Sequence, residues 1–201
     1  MRLKLDLLNF AKDGNITKNR LEQLITMLLA GWGSNNEQNG ERLISDEELH
    51  DLILHWDDDA RSHLIFLIRQ WSKVDGIWNK QLPQLLQNVW PRQKAARTPR
   101  VSAALFELAF SSVETFKQVE ALILPLLTPI KRPYLHIPNI ENILDTYPEI
   151  ALTIYYKVFS ENLPTDLPYG LEKALDRIGD VDKKLRTDSR WLQLKRKLDN
   201  K

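Results

Sequence analysis

The chain has 201 residues, no cysteine, 43% hydrophobic residues, 27% charged residues and a formal net charge of +1. This composition is typical of a folded globular protein, and the lack of cysteine excludes disulfides, thiolate metal sites and a cysteine nucleophile. No apolar run approaches the roughly 18 residues that span a bilayer, and the first segment, MRLKLDLLNFAKDG, has too short an apolar core for a signal peptide. We therefore expect a cytoplasmic protein that does not contact membranes.

The small net charge hides a strong polarity along the chain. Residues 41–59 carry eight acids and one base, whereas residues 183–201 carry eight bases and two acids. The bases are Lys183, Lys184, Arg186, Arg190, Lys195, Arg196, Lys197 and Lys201, which we call the C-terminal basic cluster. Opposite charges at the two ends would also allow head-to-tail self-association.

Short helices and a polar loop are predicted for the first part of the chain. The apolar spacing predicts a helix over residues 3–11 and a second helix ending at residue 29, with Asn15 or Thr17 as its cap. The segment GWGSNNEQNG, residues 31–40, is rich in glycine and asparagine and predicts a loop.

Two helix starts are predicted next. Ser45 and Glu48 have the spacing of a capping box, in which each side chain accepts a hydrogen bond from the other residue's backbone amide, so a helix is expected over 46–56. Asp57, Asp58 and Asp59 then predict the start of another helix, because unpaired amides and the helix dipole favour negative charge there.

From residue 60 onwards, the apolar pattern repeats a two-helix unit. The predicted pairs are 60–71 with 77–90, 102–110 with 115–127, and 148–159 with 169–178. Their starts are 42 and 46 residues apart, within the period of about 40–47 residues of HEAT and armadillo hairpins. The sequence thus predicts an all-α, curved solenoid of about ten helices in a single domain over 1–201. Its parts are N-terminal helices over 1–59, three hairpin repeats over 60–182 and a basic C-terminal helix over 183–201.

Three finer expectations concern helix ends. Pro83 and Pro125 fall inside predicted helices and should kink or shorten them, since proline removes a backbone hydrogen bond. Residues 131–142 predict an extended connector that can carry a short helix. Ser189 is expected to cap a terminal helix that runs through Leu198.

One candidate catalytic feature of the sequence is a metal site. His55, Asp59 and His63 are four residues apart and would share one face of a continuous helix, as zinc ligands must. If the aspartates start a new helix, the three residues do not align, and the histidines are solvated or lie at the edge of the core. His136 stands alone in the connector. We favour this second interpretation and predict neither a metal nor a cofactor.

The sequence has no other catalytic motif. It lacks a glycine-rich phosphate loop, a nucleophile elbow, an HExxH pattern and paired glutamates, and GDVD at 179–182 is too short for a twelve-residue calcium loop. We therefore predict that the chain is not an enzyme.

The remaining candidate is a basic corner, residues 90–100, which has no acid over 91–100. Its site residues are Trp90, Arg92, Lys94, Arg97 and Arg100. They are candidates for binding a protein partner, although a tryptophan at a helix end is by default a core residue. The alternative is nucleic-acid binding by Arg92, Lys94, Arg97 and Arg100 together with Lys195, Arg196 and Lys197. Against it, the pI near 7.9 is below the value of about 9 that marks many nucleic-acid modules.

Three stretches resemble a known group of proteins. They read WPRQKAARTPRVSAALFELAF, FKQVEALILPLLTPI and YPEIALTIYYKVFSENLPTDLPYGLEKALDRIGDVDKKLRTDSRWLQL. Over residues 60–194, and above all in WPRQ and in PYGLE followed by DxxLRxDxRW, the chain resembles HEAT-like helical C-terminal regions of large bacterial multidomain proteins, several of them associated with phage defence.

The resemblance implies a helical, non-catalytic region, because the enzymatic modules of that group lie in other domains and none of their motifs occurs here. The chain would be a C-terminal fragment or a small stand-alone relative. We therefore expect an interaction or scaffolding module that binds a protein partner or other domains of a parent protein.

Overall fold

The computed structural model describes residues 2–12, 17–29, 43–74, 77–131, 135, 137 and 141–201. Within these ranges the chain forms eleven α-helices and no β-strand, which confirms the all-α prediction. None of the described helices is both long and apolar enough to cross a bilayer. The chain divides into two compact units, Met1–Ala96 and Arg97–Lys201. The first predicted hairpin belongs to the first unit, and the other two belong to the second.

The first unit contains five α-helices in its described part. They are α1 (Arg2–Ala11), α2 (Lys18–Leu28), α3 (Asp46–His55), α4 (Asp58–Val74) and α5 (Ile77–Gln84). Helix α4 packs against α2 and α5, so the predicted pairing of the 60–71 and 77–90 helices is confirmed. Asn15 and the predicted 31–40 loop lie outside the described residues.

The starts of α3 and α4 confirm the predicted caps. Ser45 Oγ accepts a hydrogen bond from the Glu48 amide at 3.2 Å, and Glu48 Oε2 accepts one from the Ser45 amide at 2.8 Å. Asp57 Oδ1 accepts a bond from the Ala60 amide at 2.8 Å, and the next two aspartates lie in the first turn of α4. The acidic run is therefore explained by helix capping.

Arg61 joins three parts of the first unit, although its side chain is only 7% exposed. Its Nε donates to the Ile53 carbonyl at 2.9 Å and its Nη2 to the Leu54 carbonyl at 2.8 Å, both at the end of α3. Its Nη1 donates to Asp58 Oδ1 at 3.1 Å and to the Ala95 carbonyl at 2.9 Å. One guanidinium thus connects the end of α3, the start of α4 and the 3-10 turn Lys94–Ala96.

Pro83 shortens α5 as predicted. The residue has no amide hydrogen to donate to the preceding turn, and the α-helix ends one residue later, at Gln84. The chain continues as a single π-helical turn, Leu85–Val89, in which the Trp90 amide donates to the Leu85 carbonyl at 2.7 Å. This wider turn leads the chain into the basic corner.

The second unit contains six α-helices among its described residues. They are α6 (Pro99–Ala109), α7 (Val113–Ile123), α8 (Glu141–Thr146), α9 (Pro148–Phe159), α10 (Leu171–Val181) and α11 (Ser189–Asp199). Helix α6 packs against α7, and α9 packs against α10, which confirms the second and third predicted pairs. Helix α8 overlaps the predicted connector over 131–142 only at its first two residues and lies mostly beyond it. Helix α11 packs against α9 and α10.

Three helix ends in this unit refine the prediction. Helix α6 starts at Pro99 and not at residue 102, because Thr98 Oγ1 accepts a bond from the Val101 amide and proline suits the first helical position. Helix α7 stops at Ile123 because Pro125 forces a 3-10 turn. The prediction that Ser189 caps α11 is wrong: the cap is the preceding residue, Asp188, whose carboxylate accepts from the Arg190 amide at 2.8 Å.

An aromatic cluster forms the core of the second unit. Phe106 of α6 and Phe110, the residue that follows α6, meet Phe116 of α7 and Tyr155 and Phe159 of α9, and all five side chains are buried. The ring centroids of Phe110 and Tyr155 are 5.3 Å apart in a stacked arrangement, and those of Phe110 and Phe116 are 5.0 Å apart. Such contacts add about 0.5–1.5 kcal/mol per pair to the burial of the rings. The cluster therefore fixes α6, α7 and α9 against each other.

We expect Arg61→Met to lower the free energy of unfolding by on the order of 3 kcal/mol, because it leaves buried carbonyls at the end of α3 without their donor. Chemical denaturation followed by circular dichroism measures the change. The matched control is Lys94→Met, which removes the charge of an exposed lysine from the same unit and should cost less than about 1 kcal/mol. Equal effects of the two variants would contradict the role given to Arg61.

Tyr155→Phe should raise the free energy of unfolding by up to about 1 kcal/mol. The Tyr155 hydroxyl is buried without a hydrogen-bond partner among the described residues, and burial raises the pKa of this phenol. The control is Tyr156→Phe, which deletes a hydroxyl that donates to Gln193 Oε1 at 2.9 Å and should not stabilise the protein. A loss of stability in Tyr155→Phe, measured by denaturation, would show that this hydroxyl is satisfied in solution.

Candidate functional site

In the first unit, the three candidate residues of the basic corner have different surroundings. Trp90 is only 2% exposed, so its ring belongs to the core and is not available to a partner. Arg92 is exposed, but its Nη2 donates to the Leu86 carbonyl at 3.0 Å and to the Gln87 carbonyl at 3.4 Å. Lys94 is exposed in the 3-10 turn. The candidate residues here are thus one core ring, one arginine that caps the π-helical turn and one exposed lysine.

The other two bases of the corner belong to the second unit. Arg97 is half-buried, and its Nη1 donates to the Pro125 carbonyl at 3.5 Å. Arg100 is exposed, but it lies in the first turn of α6 and not on the predicted loop. The basic corner is therefore divided between the two units, and two of its four bases serve backbone carbonyls.

The C-terminal basic cluster is also engaged within its own unit. Lys195 Nζ lies 2.9 Å from Asp176 Oδ1 and 3.4 Å from Glu172 Oε1, both on α10, and 5.8 Å from the Trp191 ring centroid. Burial opposes the charge on this lysine, but the two carboxylates outweigh that effect and raise its pKa. Lys195 therefore holds α11 to α10, which removes it from a phosphate-binding surface.

Two further lysines of the cluster reach the segment between α9 and α10. Lys197 Nζ donates to the Asn162 carbonyl at 2.6 Å, and Lys201 Nζ donates to the Leu167 carbonyl at 2.8 Å. Arg196, by contrast, is exposed. Of the three residues predicted here as a phosphate-binding set, two have an intramolecular role.

The hypothetical metal site does not assemble. Helix α3 ends at His55 and α4 begins at Asp58, so His55, Asp59 and His63 do not lie on one helix. His55 Nδ1 is 3.0 Å from the Asp51 carbonyl, and His63 Nε2 is 3.7 Å from Glu22 Oε2. In the described residues no group of three His, Asp or Glu side chains could hold a metal ion. His136 lies outside the described residues.

Among the described residues, the most exposed large apolar side chains lie in residues 160–170, between α9 and α10, a segment that we call the 160–170 loop. Leu163 is 67% exposed and Tyr169 is 91% exposed. Both values are high for residues that otherwise contribute to protein cores. Contiguous exposed apolar patches mark contact sites for other proteins, whereas single exposed apolar side chains are common on protein surfaces.

The backbone of the 160–170 loop is fixed from several sides. Buried Asn162 donates through Nδ2 to the Ile130 carbonyl at 2.6 Å. A 3-10 turn, Pro164–Asp166, lies between the two exposed side chains, and Leu167 and Pro168 after it are buried. Gly170 closes the loop with φ +90°, a conformation that strongly favours glycine. The loop therefore presents Leu163 and Tyr169 from a constrained backbone.

Sequence reasoning missed this site. It placed Tyr169 at the start of a predicted helix over 169–178, whereas Gly170 is the cap and α10 begins at Leu171. A signal was present in NLPTDLPYG, where two prolines and a glycine surround the apolar residues in a short interhelical segment. That pattern predicts a turn, but it does not reveal which apolar side chains remain outside the core.

The start of α11 contains a charge pair that responds to pH. Arg190 donates through Nε and Nη2 to the two carboxylate oxygens of Asp188 at 2.9 and 2.7 Å, and through Nη1 to Thr153 Oγ1 at 2.6 Å. The hydrogen bond from Arg190 lowers the pKa of Asp188 below its ordinary value. A lowered pKa in the folded state stabilises the protein above the unfolded pKa, and this contribution disappears as the pH falls through the folded pKa.

Asp188→Asn should lower the free energy of unfolding by less than about 1 kcal/mol near neutral pH. The difference from wild type should begin to shrink as the pH falls below about 4 and vanish below the lowered pKa of Asp188. Asparagine is an equally good helix cap, so the variant removes the charge pair and keeps the cap. Thermal unfolding across this pH range tests the prediction. A difference that stays constant with pH would assign the effect to capping.

Comparisons with protein-family models, with curated proteins and with solved structures found no match to this chain. The resemblance to bacterial HEAT-like regions therefore stays a prediction.

Proposed function

We propose that this chain is a non-catalytic helical module that binds a protein partner through the 160–170 loop. The observation that carries the proposal is the exposure of Leu163 and Tyr169 on a backbone that the second unit holds in place. Because the side chains protrude, the partner that fits them is a protein surface with an apolar depression. In this proposal the loop is the protruding side of the interface.

The energetics of such a contact favour these two residues. Burying a leucine or tyrosine side chain contributes about 1.5–3 kcal/mol, and tyrosine is among the residues that dominate binding energies at interfaces. A loop that is already ordered loses little conformational entropy on binding. The constrained backbone at Asn162 and Gly170 therefore supports a contact of useful affinity from a small surface.

For the architecture, we propose that the three helical hairpins act as HEAT-like repeats. The pairing of α4 with α5, of α6 with α7 and of α9 with α10 supports this, as does the sequence period. The resemblance to bacterial multidomain proteins supports a scaffolding role in a multicomponent system, with phage defence as the proposed setting. Other domains of a parent protein, or a second copy of the chain, are alternative sources of the partner surface.

Nucleic-acid binding by the clusters at 92–100 and 183–201 is the second candidate. The exposed side chains of Lys94, Lys183, Lys184 and Arg196 support it. The ion pairs of Lys195 and the carbonyl contacts of Arg92 and Lys197 speak against it, since phosphate would have to displace them. We therefore favour the protein partner.

The test compares wild type with a Leu163→Ser/Tyr169→Ser variant in crosslinking and affinity capture from cells of the source organism, followed by titration of each captured protein in purified form. Loss of two apolar contacts, each worth about 1.5 kcal/mol or more, should weaken binding by roughly a hundredfold or more. The matched control is Met27→Ser/Val181→Ser, which changes two exposed apolar residues elsewhere and should bind like wild type.

Equal binding by wild type and the loop variant would refute the proposed contact. Capture that is abolished by nuclease, together with duplex affinity that falls steeply with salt, would favour the nucleic-acid alternative.

A further inference from the structure

We infer that α11 is a polar clamp that holds the 160–170 loop in its binding conformation. The clamp is a property of the second unit alone, whereas its consequence for binding rests on the proposed function. The contacts of the clamp come from Lys197 of α11 and from Lys201, two residues beyond the end of that helix.

Two lysine contacts surround the exposed part of the loop. Lys197 Nζ is bonded to the carbonyl of Asn162, the residue before Leu163, and Lys201 Nζ is bonded to the carbonyl of Leu167, two residues before Tyr169. Hydrogen bonds from a charged donor are stronger than those between neutral groups. The backbone positions on either side of the 3-10 turn are thus both tied to α11.

The clamp itself is attached mainly by polar groups. Leu194 is the one fully buried side chain within α11. The Trp191 indole donates to the Leu175 carbonyl at 2.9 Å, Gln193 accepts from Tyr156, and Lys195 pairs with the carboxylates of α10. We expect a helix with a single fully buried side chain to open before the aromatic core of its unit does.

The lysine contacts and the attachment of α11 couple the position of this helix to the conformation of the 160–170 loop. When α11 is docked, both lysine contacts form, and the loop presents its apolar side chains from a fixed backbone. When α11 is released, the two loop carbonyls lose their donors and the loop gains conformational freedom, which a partner would have to remove on binding. Salt weakens the exposed ion pairs of α11, so ionic strength should shift the same equilibrium.

Hydrogen exchange of backbone amides tests the clamp without any partner. The reporting amides are those of Asp166 and Leu167, which donate to the Leu163 and Pro164 carbonyls at 3.0 and 3.3 Å. Lys197→Met/Lys201→Met should accelerate their exchange at least about tenfold, as expected for the loss of hydrogen bonds to charged donors. Methionine keeps the helix propensity of lysine, so α11 itself should still form.

The matched control is Lys183→Met/Lys184→Met, which removes the same charge from two exposed lysines of the preceding 3-10 turn, Lys183–Thr187. In this control variant the amides of Asp166 and Leu167 should exchange at the wild-type rate. Amides of α6 serve as an internal reference: if they accelerate equally, the unit is globally destabilised and the clamp is refuted. Unchanged exchange of the loop amides in Lys197→Met/Lys201→Met also refutes it.

The two proposals fail separately. If the loop amides accelerate but Leu163→Ser/Tyr169→Ser binds its partner normally, the clamp stands and the proposed contact is wrong. If the loop amides do not respond but that variant loses its partner, the contact stands and the clamp is wrong. If both hold, Lys197→Met/Lys201→Met should weaken partner binding by about the factor seen in exchange.

Discussion

Backbone carbonyls that are left unpaired at helix ends and turns need a hydrogen-bond donor, and in this protein basic side chains supply many of them. Arg61 donates hydrogen bonds to carbonyls at the end of α3 and in the 3-10 turn Lys94–Ala96. Arg92 donates to a carbonyl of the π-helical turn. In the second unit, Lys197 and Lys201 serve the 160–170 loop. Short helices, and helices that a proline shortens, create this need because every helix end has carbonyls without a hydrogen-bond partner inside the helix.

Because basic side chains are used as donors to these carbonyls, the charge pattern along the sequence needs a different interpretation. A run of bases without acids looks in sequence like a surface for an anionic ligand. Once folded, several of those bases have partners far along the chain: Lys195 reaches α10, and Arg97 reaches the Pro125 carbonyl. The acidic run before residue 60 is likewise explained locally, because Asp57 caps a helix and its neighbours lie in the first turn. Charge that is used in this way is not available for recognition.

The features that we propose for recognition are apolar, and they depend on the same kind of polar contact. Leu163 and Tyr169 can protrude because the backbone around them is held by Asn162, by the left-handed Gly170 and by the lysines of α11. The aromatic cluster around Phe110 and Tyr155 provides the rigid base, since it fixes α9, from which the loop departs. In the second unit, core packing thus fixes the helices, whereas polar contacts hold the backbone of the loop.

The sequence by itself determined the all-α fold, the helix pairs, the capping box at Ser45 and the helix start at Asp57, because these depend on apolar spacing and on contacts within one turn. It also predicted that Pro83 and Pro125 would kink or shorten their helices, a local effect of the missing amide. Only the tertiary structure decided that Trp90 is buried, that Lys197 serves a carbonyl 35 residues away, and that Tyr169 stays outside the core. Burial and long-range pairing depend on how the helices pack, which the spacing along one helix does not encode.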